Sequence, residues 1–330
     1  MFYRCSSLES ISGTQGWTLS KCKNMKQVFY NCLNLDTIEG IETWKTPVVK
    51  DMHGMFNGCY DITALDLSGW DVSDVTDMEA LFKHCEGLSS VNLTGWNTNS
   101  LTKMNEMFYD CSSLTTLDVS MLNTSNVGSM HGGGISDGGV FEGCSSLQSV
   151  NVSGWDTGNV TSTKRMFYNC LALQSLDLSS WNVGSLQDMS QMFQCDENKT
   201  SRLTSIDLSG WNTTSLRLME ATFQDCDSLR SVDFGGWDAP QLTSMYSAFA
   251  RCGALESLDL SGFQTPNLSN LQNAFLNCSS LTTLNVNDLD VQQVSNMYNT
   301  FQGCSALTEL DLSNWSTPEL TNAIGLFYGC

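Results

Sequence analysis

The chain has 330 residues, of which 41% are hydrophobic and 15% are charged, so it is apolar enough to form a core and excludes both a disordered tail and a highly charged coiled coil. Its net charge of −20 repels phosphate backbones and anionic lipid surfaces, and we therefore expect neither nucleic acid nor a membrane surface as partner. No apolar run approaches the roughly 18 residues of a membrane span, which predicts no membrane insertion in this segment.

A Phe-x-x-Cys motif recurs along the whole chain, and most of the spacings between its cysteines are 26 residues. The anchor cysteines are Cys5, Cys32, Cys59, Cys85, Cys111, Cys144, Cys170, Cys195, Cys226, Cys252, Cys278, Cys304 and Cys330. A short fixed period indicates a stack of repeated units rather than separate domains. We predict one repeat array over 1–330, with inserted loops at 131–139 and 196–202. Neither end carries a polar capping unit, so we expect a fragment of a longer chain.

The first half of each unit shows a helical spacing of apolar residues. In DMHGMFNGC (51–59) the apolar positions are Met52, Met55, Phe56 and Cys59, which is the i, i+3, i+4, i+7 pattern of one helical face. Asn, Asp or Ser usually precedes the first of these positions, and such short polar side chains cap free backbone N–H groups at a helix start. The pattern predicts a two-turn helix in every unit.

The second half of each unit alternates with period two. In ITALDLSGW (62–70) the side chains of Ile62, Leu65 and Leu67 are expected to point inward and that of Asp66 outward, as in a half-buried strand. A strand, a turn and a short helix in each unit describe an α/β leucine-rich-repeat solenoid. We predict about 12 coils, each with one short parallel strand on the concave face and one short helix outside.

The run MFxxCxxLxxLDLSxWxTxxVTxM resembles the repeats of the BspA-like leucine-rich-repeat proteins, which occur on the surfaces of bacteria and some parasitic protists. The resemblance covers essentially all of the chain. It implies a secreted or surface-exposed protein used in adhesion or interaction. It transfers no catalytic residue, because the matching motif is structural throughout.

Two repeated columns have both a structural and a functional interpretation. The cysteines are zinc ligands, disulfide partners or buried thiols, and we favour buried thiols because every anchor cysteine lies on the apolar face and no Cys-x-x-Cys pair occurs. The tryptophan column is either a sugar-stacking stripe or core. Leu122 and Leu289 replace Trp in this column, and leucine preserves bulk but cannot stack on a sugar, so we favour core packing.

The outward strand positions form the candidate ligand-binding face, which is rich in Ser, Thr, Asp and Asn. Its predicted residues are Asp66, Asn92, Asp118, Asn151, Asn285, Asp311, Ser68, Ser120 and Ser209. Four aspartates fall in successive units, namely Asp177, Asp207, Asp233 and Asp259. Neighbours about 5 Å apart would repel by roughly 1 kcal/mol in water. Solvent and the interleaved hydroxyl groups relieve this repulsion in one interpretation, and Ca²⁺ held by the aspartates relieves it in the other.

No catalytic constellation stands out in the sequence. The chain has three histidines, His53, His84 and His131, and they occupy unrelated positions, so we expect no enzymatic activity and no required cofactor. The predicted function is a non-catalytic, extracellular or cell-surface adhesion module that binds a protein or glycan on a host or neighbouring cell through the concave face and inserted loops. The alternative is a spacer or filament-forming protein that stacks end to end. Ice binding is a weaker possibility.

Overall fold

The computed structural model of the chain describes residues 1–133 and 138–330. The chain divides into two compact units, Met1–Val160 and Thr161–Cys330, which are described separately. The prediction of a single array over 1–330 therefore stays a prediction. Part of the predicted loop at 131–139 lies outside the described residues.

Each unit is a parallel β-solenoid, and the two together contain about ten turns with a strand. The strands of the first unit are β1 (Ser10–Ile11), β2 (Thr37–Ile38), β3 (Ala64–Asp66), β4 (Ser90–Asn92), β5 (Thr116–Asp118) and β6 (Ser149–Asn151). Those of the second unit are β7 (Ser205–Asp207), β8 (Ser231–Asp233), β9 (Ser257–Asp259) and β10 (Thr283–Asn285). The strands pair in parallel as β1–β2, β3–β4, β5–β6, β7–β8 and β9–β10.

The predicted alternation of the strands is confirmed. In β3 the side chain of Leu65 is buried, whereas those of Ala64 and Asp66 are exposed. The register places equivalent residues side by side, with Leu65 opposite Val91 and Asp66 opposite Asn92. Each apolar strand position therefore packs on its counterpart in the neighbouring turn, which buries a continuous column although no strand exceeds three residues.

The predicted helix in every coil is wrong, and the count of 12 coils is not supported. Among the described residues the only helical element is one 3₁₀ turn, Ile41–Thr43. Strands are absent from the described turns that contain Asp177 and Asp311. The half of each repeat that contains the Phe-x-x-Cys motif is called the outer half-turn below. It consists instead of consecutive turns that are hydrogen-bonded to the neighbouring coil.

The hydrogen bonds of the outer half-turn explain why no helix forms. In 52–58 the backbone N–H groups of alternate residues donate to carbonyls one coil further on; Phe56, for example, donates to Leu81 O at 2.9 Å. The residues between them close local turns, such as Met55 N–H to Met52 O at 3.1 Å. Gly54 and Gly58 take φ values of +57° and +75°, which a right-handed helix does not allow. Half of the N–H groups thus bond between coils rather than within a helix.

Buried aromatic columns run through each unit. In the first unit Phe29, Phe56, Phe82, Phe108 and Phe141 are fully buried, and successive rings stack with centroids 5.3 to 5.8 Å apart. The tryptophan column packs in the same way. In the second unit Trp181, Trp211, Trp237 and Phe263 stack at 5.7 to 6.2 Å. The prediction that the tryptophans are core residues is therefore confirmed for seven of the nine, whereas Trp17 and Trp315 are half-buried.

Eleven of the anchor cysteines are buried, and they are free thiols. Most of them donate an S–H···O hydrogen bond to a phenylalanine carbonyl in the preceding coil, as Cys59 does to Phe29 O at 3.1 Å. Burial raises the pKa of most of these thiols, namely Cys32, Cys59, Cys85, Cys111, Cys144, Cys252, Cys278 and Cys304, and brings that of Cys304 to about 12. The column is therefore neutral at physiological pH and acts as small apolar filler, as the sequence indicated.

Candidate ligand-binding face

The exposed side of the strands is a ladder of small polar side chains, called the strand face below. In β5 the side chains of Thr116 and Asp118 are exposed on either side of buried Leu117. The same exposed, buried, exposed order occurs in β3, β7, β8 and β9. The fold therefore presents a row of hydroxyl, carboxylate and amide groups in fixed register, with few large apolar side chains among them.

The Asp and Asn side chains of the strand face also have a structural task. Asp66 Oδ1 accepts the backbone N–H of Ser68 at 3.0 Å and its hydroxyl at 2.7 Å, which closes an Asx turn where the strand ends. Equivalent backbone bonds occur at Asn92, Asp118, Asn151, Asp207, Asn285 and Asp311. Each predicted Asp or Asn of this column thus uses its Oδ1 atom to hold the turn that ends the strand segment.

These hydrogen bonds shift the titration of the aspartates. The pKa of Asp66, Asp118, Asp177 and Asp207 is lowered, first by the hydroxyl of the serine two residues on and then by that serine's N–H. The pKa of Asp311 is lowered mainly by the N–H of Ser313. The strand face is therefore negatively charged at neutral pH. It favours cationic over anionic ligands.

The four aspartates of the predicted cation ladder lie in the same Asx turns. Asp177, Asp207, Asp233 and Asp259 each accept an N–H two residues on, at 2.9 to 3.0 Å. The charge of Asp177 raises the pKa of Asp207, but more weakly than the hydrogen bonds lower it. Within residues 1–133 and 138–330 these four do not bring three ligand atoms within 4.8 Å of one another. Binding of Ca²⁺ here stays a prediction.

An open groove of about 680 Å³ lies on the strand face over β1, β2 and β3. Asp36, Glu39, Glu42 and Asp66 contribute carboxylates to its lining, and Ile11 contributes an apolar side chain. The 3₁₀ turn Ile41–Thr43 forms part of one wall. Sequence analysis did not predict this groove. The available signal was the segment EGIET (39–43), which replaces the usual Leu-Ser-Gly turn.

The predicted loop at 196–202 is tied to the neighbouring coils through Asp196. Its carboxylate accepts hydrogen bonds from Tyr168 and Asn169 and pairs with Lys199 at 2.8 Å. Burial raises the pKa of Asp196, but these hydrogen bonds outweigh it and bring the value to about 2. The loop is therefore held in a defined position against the solenoid.

In the described part of the chain, no helix has the length and apolarity that crossing a lipid bilayer would require. The fold and the strand face together define a leucine-rich-repeat-like solenoid. Sequence comparison then assigns the family: the profile described as "Mycoplasma protein of unknown function, DUF285" matches residues 1–114, 58–133, 85–206, 138–258 and 243–330, and the chain belongs to this family. No curated protein is significantly similar to the chain in sequence.

Bacterial leucine-rich repeat proteins are among the solved structures of similar fold. A leucine-rich repeat protein from Bacteroides ovatus aligns with 99% of this chain and 78% of its own, at 17% identity and a TM-score of 0.53. A leucine rich cell surface protein from Faecalibacterium prausnitzii covers 96% and 75%, at 16% identity and a TM-score of 0.46. A leucine-rich repeat protein from Eubacterium ventriosum covers 87% and 82%, at 13% identity and a TM-score of 0.39. The first of these supports the fold assignment.

Proposed function

We propose that the chain is a non-catalytic interaction module displayed on a cell surface, related to the BspA-like proteins, and that its ligand is a protein or glycan on a host or neighbouring cell. The observation that carries this proposal is the strand face, where polar side chains are exposed in register over a rigid core. The repeat motif that resembles BspA-like surface proteins supports the location.

The chemistry of the strand face restricts the class of ligand that can bind there. The pKa values of Asp66, Asp118, Asp177 and Asp207 are lowered, and the groove over β1 to β3 is lined by four acidic residues together with isoleucine and leucine side chains. Nucleic acid is therefore a poor ligand, and a surface with basic or hydroxyl-rich groups is a good one. Because large aromatic anchors are rare on this face, we expect modest affinity for each module and adhesion through many copies.

The test is adhesion of beads coated with the purified chain to cultured epithelial cells and to a glycan array. Replacement of the exposed strand residues Ala64 and Thr116 by arginine should abolish adhesion by adding bulk and reversing local charge. The matched control replaces Thr76 and Thr102, which are exposed outside the strands, by arginine. Equal adhesion of the two double variants, or no adhesion of the unmodified chain to any target, would contradict the proposal.

The spacer or filament alternative makes a different prediction. Sedimentation of the isolated chain should then show ordered polymers whose length depends on concentration. The interaction module requires no such self-association, and a stable monomer would count against the alternative.

A further inference from the structure

A histidine and two carboxylates converge on the outer half-turns of two adjacent coils in the first unit. The Nδ1 atom of His53 lies 3.9 Å from Asp77 Oδ1 and 3.8 Å from Glu79 Oε2. One ligand atom from each residue lies within 4.8 Å of those of the other two. All three side chains are partly buried, with exposed fractions between 20% and 28%. This is the single group of its kind among the described residues.

The backbone of the two coils fixes the spacing of these side chains. Met52 N–H donates to Asp77 O at 2.9 Å, and Gly54 N–H donates to Glu79 O at 2.8 Å. These two bonds flank His53 and hold it directly beside the Asp77–Glu79 segment. The three side chains therefore project from neighbouring points of the rigid ladder rather than from a loose loop.

The carboxylate of Asp77 is oriented in advance. Its Oδ1 atom accepts the N–H of Glu79 at 3.0 Å, while its Oδ2 atom faces Lys103 Nζ at 3.5 Å. Lys103 is 58% exposed and free to swing into solvent. An oriented carboxylate keeps a lone pair of Oδ1 directed at the space shared with His53 and Glu79, and such outer-shell support is typical of metal ligands.

We propose that His53, Asp77 and Glu79 bind one divalent transition-metal ion of the zinc or cobalt type. One imidazole nitrogen and two carboxylate oxygens suit these ions better than Ca²⁺ or Mg²⁺, which prefer oxygen ligands alone. Ligand atoms about 2.0 Å from a tetrahedral ion lie about 3.3 Å apart. The observed 3.8 and 3.9 Å therefore require a contraction of about half an ångström, which rotation of partly exposed side chains supplies. Water completes the coordination.

The protein contains a matched control in the next coil. His84 occupies the outer half-turn as well, and its Nδ1 atom lies 3.2 Å from Asp110 Oδ2. The Tyr109 ring lies against it in a T-shaped arrangement, with ring centroids 5.2 Å apart. Among the described residues no third ligand atom joins this pair within 4.8 Å. His84 therefore has a carboxylate neighbour but belongs to no ligand set.

The experiment is a titration of the full chain with Co²⁺ after its accessible thiols have been alkylated. We expect one ion per chain, d–d absorption bands without thiolate charge-transfer bands, and an increased melting temperature. His53→Ala and Glu79→Gln should each weaken binding at least tenfold, whereas His84→Ala should leave it unchanged. Circular dichroism and the melting temperature without metal show that each variant is folded.

Three results would overturn the proposal. They are an absence of saturable binding by the unmodified chain, binding by His53→Ala that equals that of the unmodified chain, and an equal loss in His53→Ala and His84→Ala. If His53→Ala does not fold, His53→Gln takes its place in the comparison, since its amide keeps the volume but is a poor ligand for these ions.

Discussion

The strand half and the outer half-turn of each coil stack on the neighbouring coil in different ways. The strands stack by ordinary parallel pairing, as in Leu65 opposite Val91. The outer half-turns stack through alternate N–H groups, with residues of positive φ between them that turn the remaining N–H groups back into the same coil. Both halves bury an apolar column on the same side. Apolar spacing alone therefore does not determine the backbone conformation. The conformation also depends on which carbonyl accepts the hydrogen bond of each N–H group.

The largest expected effect comes from the aromatic column of the outer half-turn. Phe82 is fully buried and stacks between Phe56 and Phe108 at 5.7 and 5.3 Å. Phe82→Ala should lower the free energy of unfolding by about 3–5 kcal/mol through lost contacts and a cavity. Urea denaturation measures the change. Tyr60→Ala is the control, since that ring is 40% exposed, and a loss as large as that of Phe82→Ala would contradict the stacked core.

Substitutions of two glycines in one outer half-turn distinguish the effect of backbone strain from the effect of close packing. A Cβ atom on Gly58 would meet Asn31 Oδ1 at 2.2 Å, whereas one on Gly54 would meet nothing nearer than 3.5 Å. Both residues have positive φ. Gly58→Ala should therefore destabilise the chain by about 0.5–1.5 kcal/mol more than Gly54→Ala, because the Asn31 side chain has to leave its position. Thermal unfolding of the pair gives the difference, and equal losses would show that the neighbouring coil does not approach as described.

Replacement of alanine by glycine at a position of positive φ should stabilise the outer half-turn. Ala80 is equivalent to Gly54 one coil on, and it takes a φ of +54°. Ala80→Gly should raise the free energy of unfolding by about 0.5–1 kcal/mol, because glycine carries no steric penalty in this region. Ala248 also lies in an outer half-turn but does not itself have a positive φ, so Ala248→Gly should destabilise the chain. Urea denaturation measures both changes. If both substitutions changed the free energy of unfolding in the same direction, the assignment of positive φ to Ala80 would be contradicted.

The smallest effect is expected in the strand half, at an Asx turn. Asp118→Ala removes the acceptor of the Ser120 N–H and should cost about 0.5 kcal/mol, since the group is exposed. Asp118→Asn should keep the bond, as Asn151 does in the next turn. Denaturation at pH 7 measures the free energy of unfolding of both variants. A larger loss of stability in Asp118→Asn than in Asp118→Ala would contradict the role of this side chain in the turn.

The lowered pKa of Asp118 also predicts the pH dependence. Stability from a carboxylate whose folded pKa is depressed is present above its unfolded value, near pH 4, and is lost as pH falls through the folded value. The unmodified chain should therefore lose its advantage over Asp118→Ala below about pH 4. An advantage that grows with acid would contradict this assignment.

The sequence predicts the strand half almost completely and the outer half only in part. Alternation at Leu65 and Asp66 defines one conformation because period two fits a strand and little else. The spacing of Met52, Met55, Phe56 and Cys59 fits a helix, but consecutive turns with positive φ also place these four side chains on one face. The missed signal was the Asn, Gly or Asp that often precedes the cysteine, as at Asn31, because these residues tolerate positive φ.

The candidate site divides in the same way. The column of Asp66 and Asn92 on the strand face follows from alternation, and the serine or threonine two residues on was visible as an Asx-turn signal. The groove over β1 to β3 and the group at His53 could not be predicted. Both depend on which side chains of neighbouring coils meet, and the expected helix would have placed His53 in a different direction.

The most direct test is the hydrogen-bond partner of the Phe56 amide. A trans-hydrogen-bond scalar coupling in NMR spectra of the deuterated chain identifies the acceptor carbonyl of this N–H group. The structure predicts coupling to the carbonyl carbon of Leu81 in the next coil, where the N–O distance is 2.9 Å. Coupling to Met52, four residues earlier in the same coil, would show a helix and contradict the account.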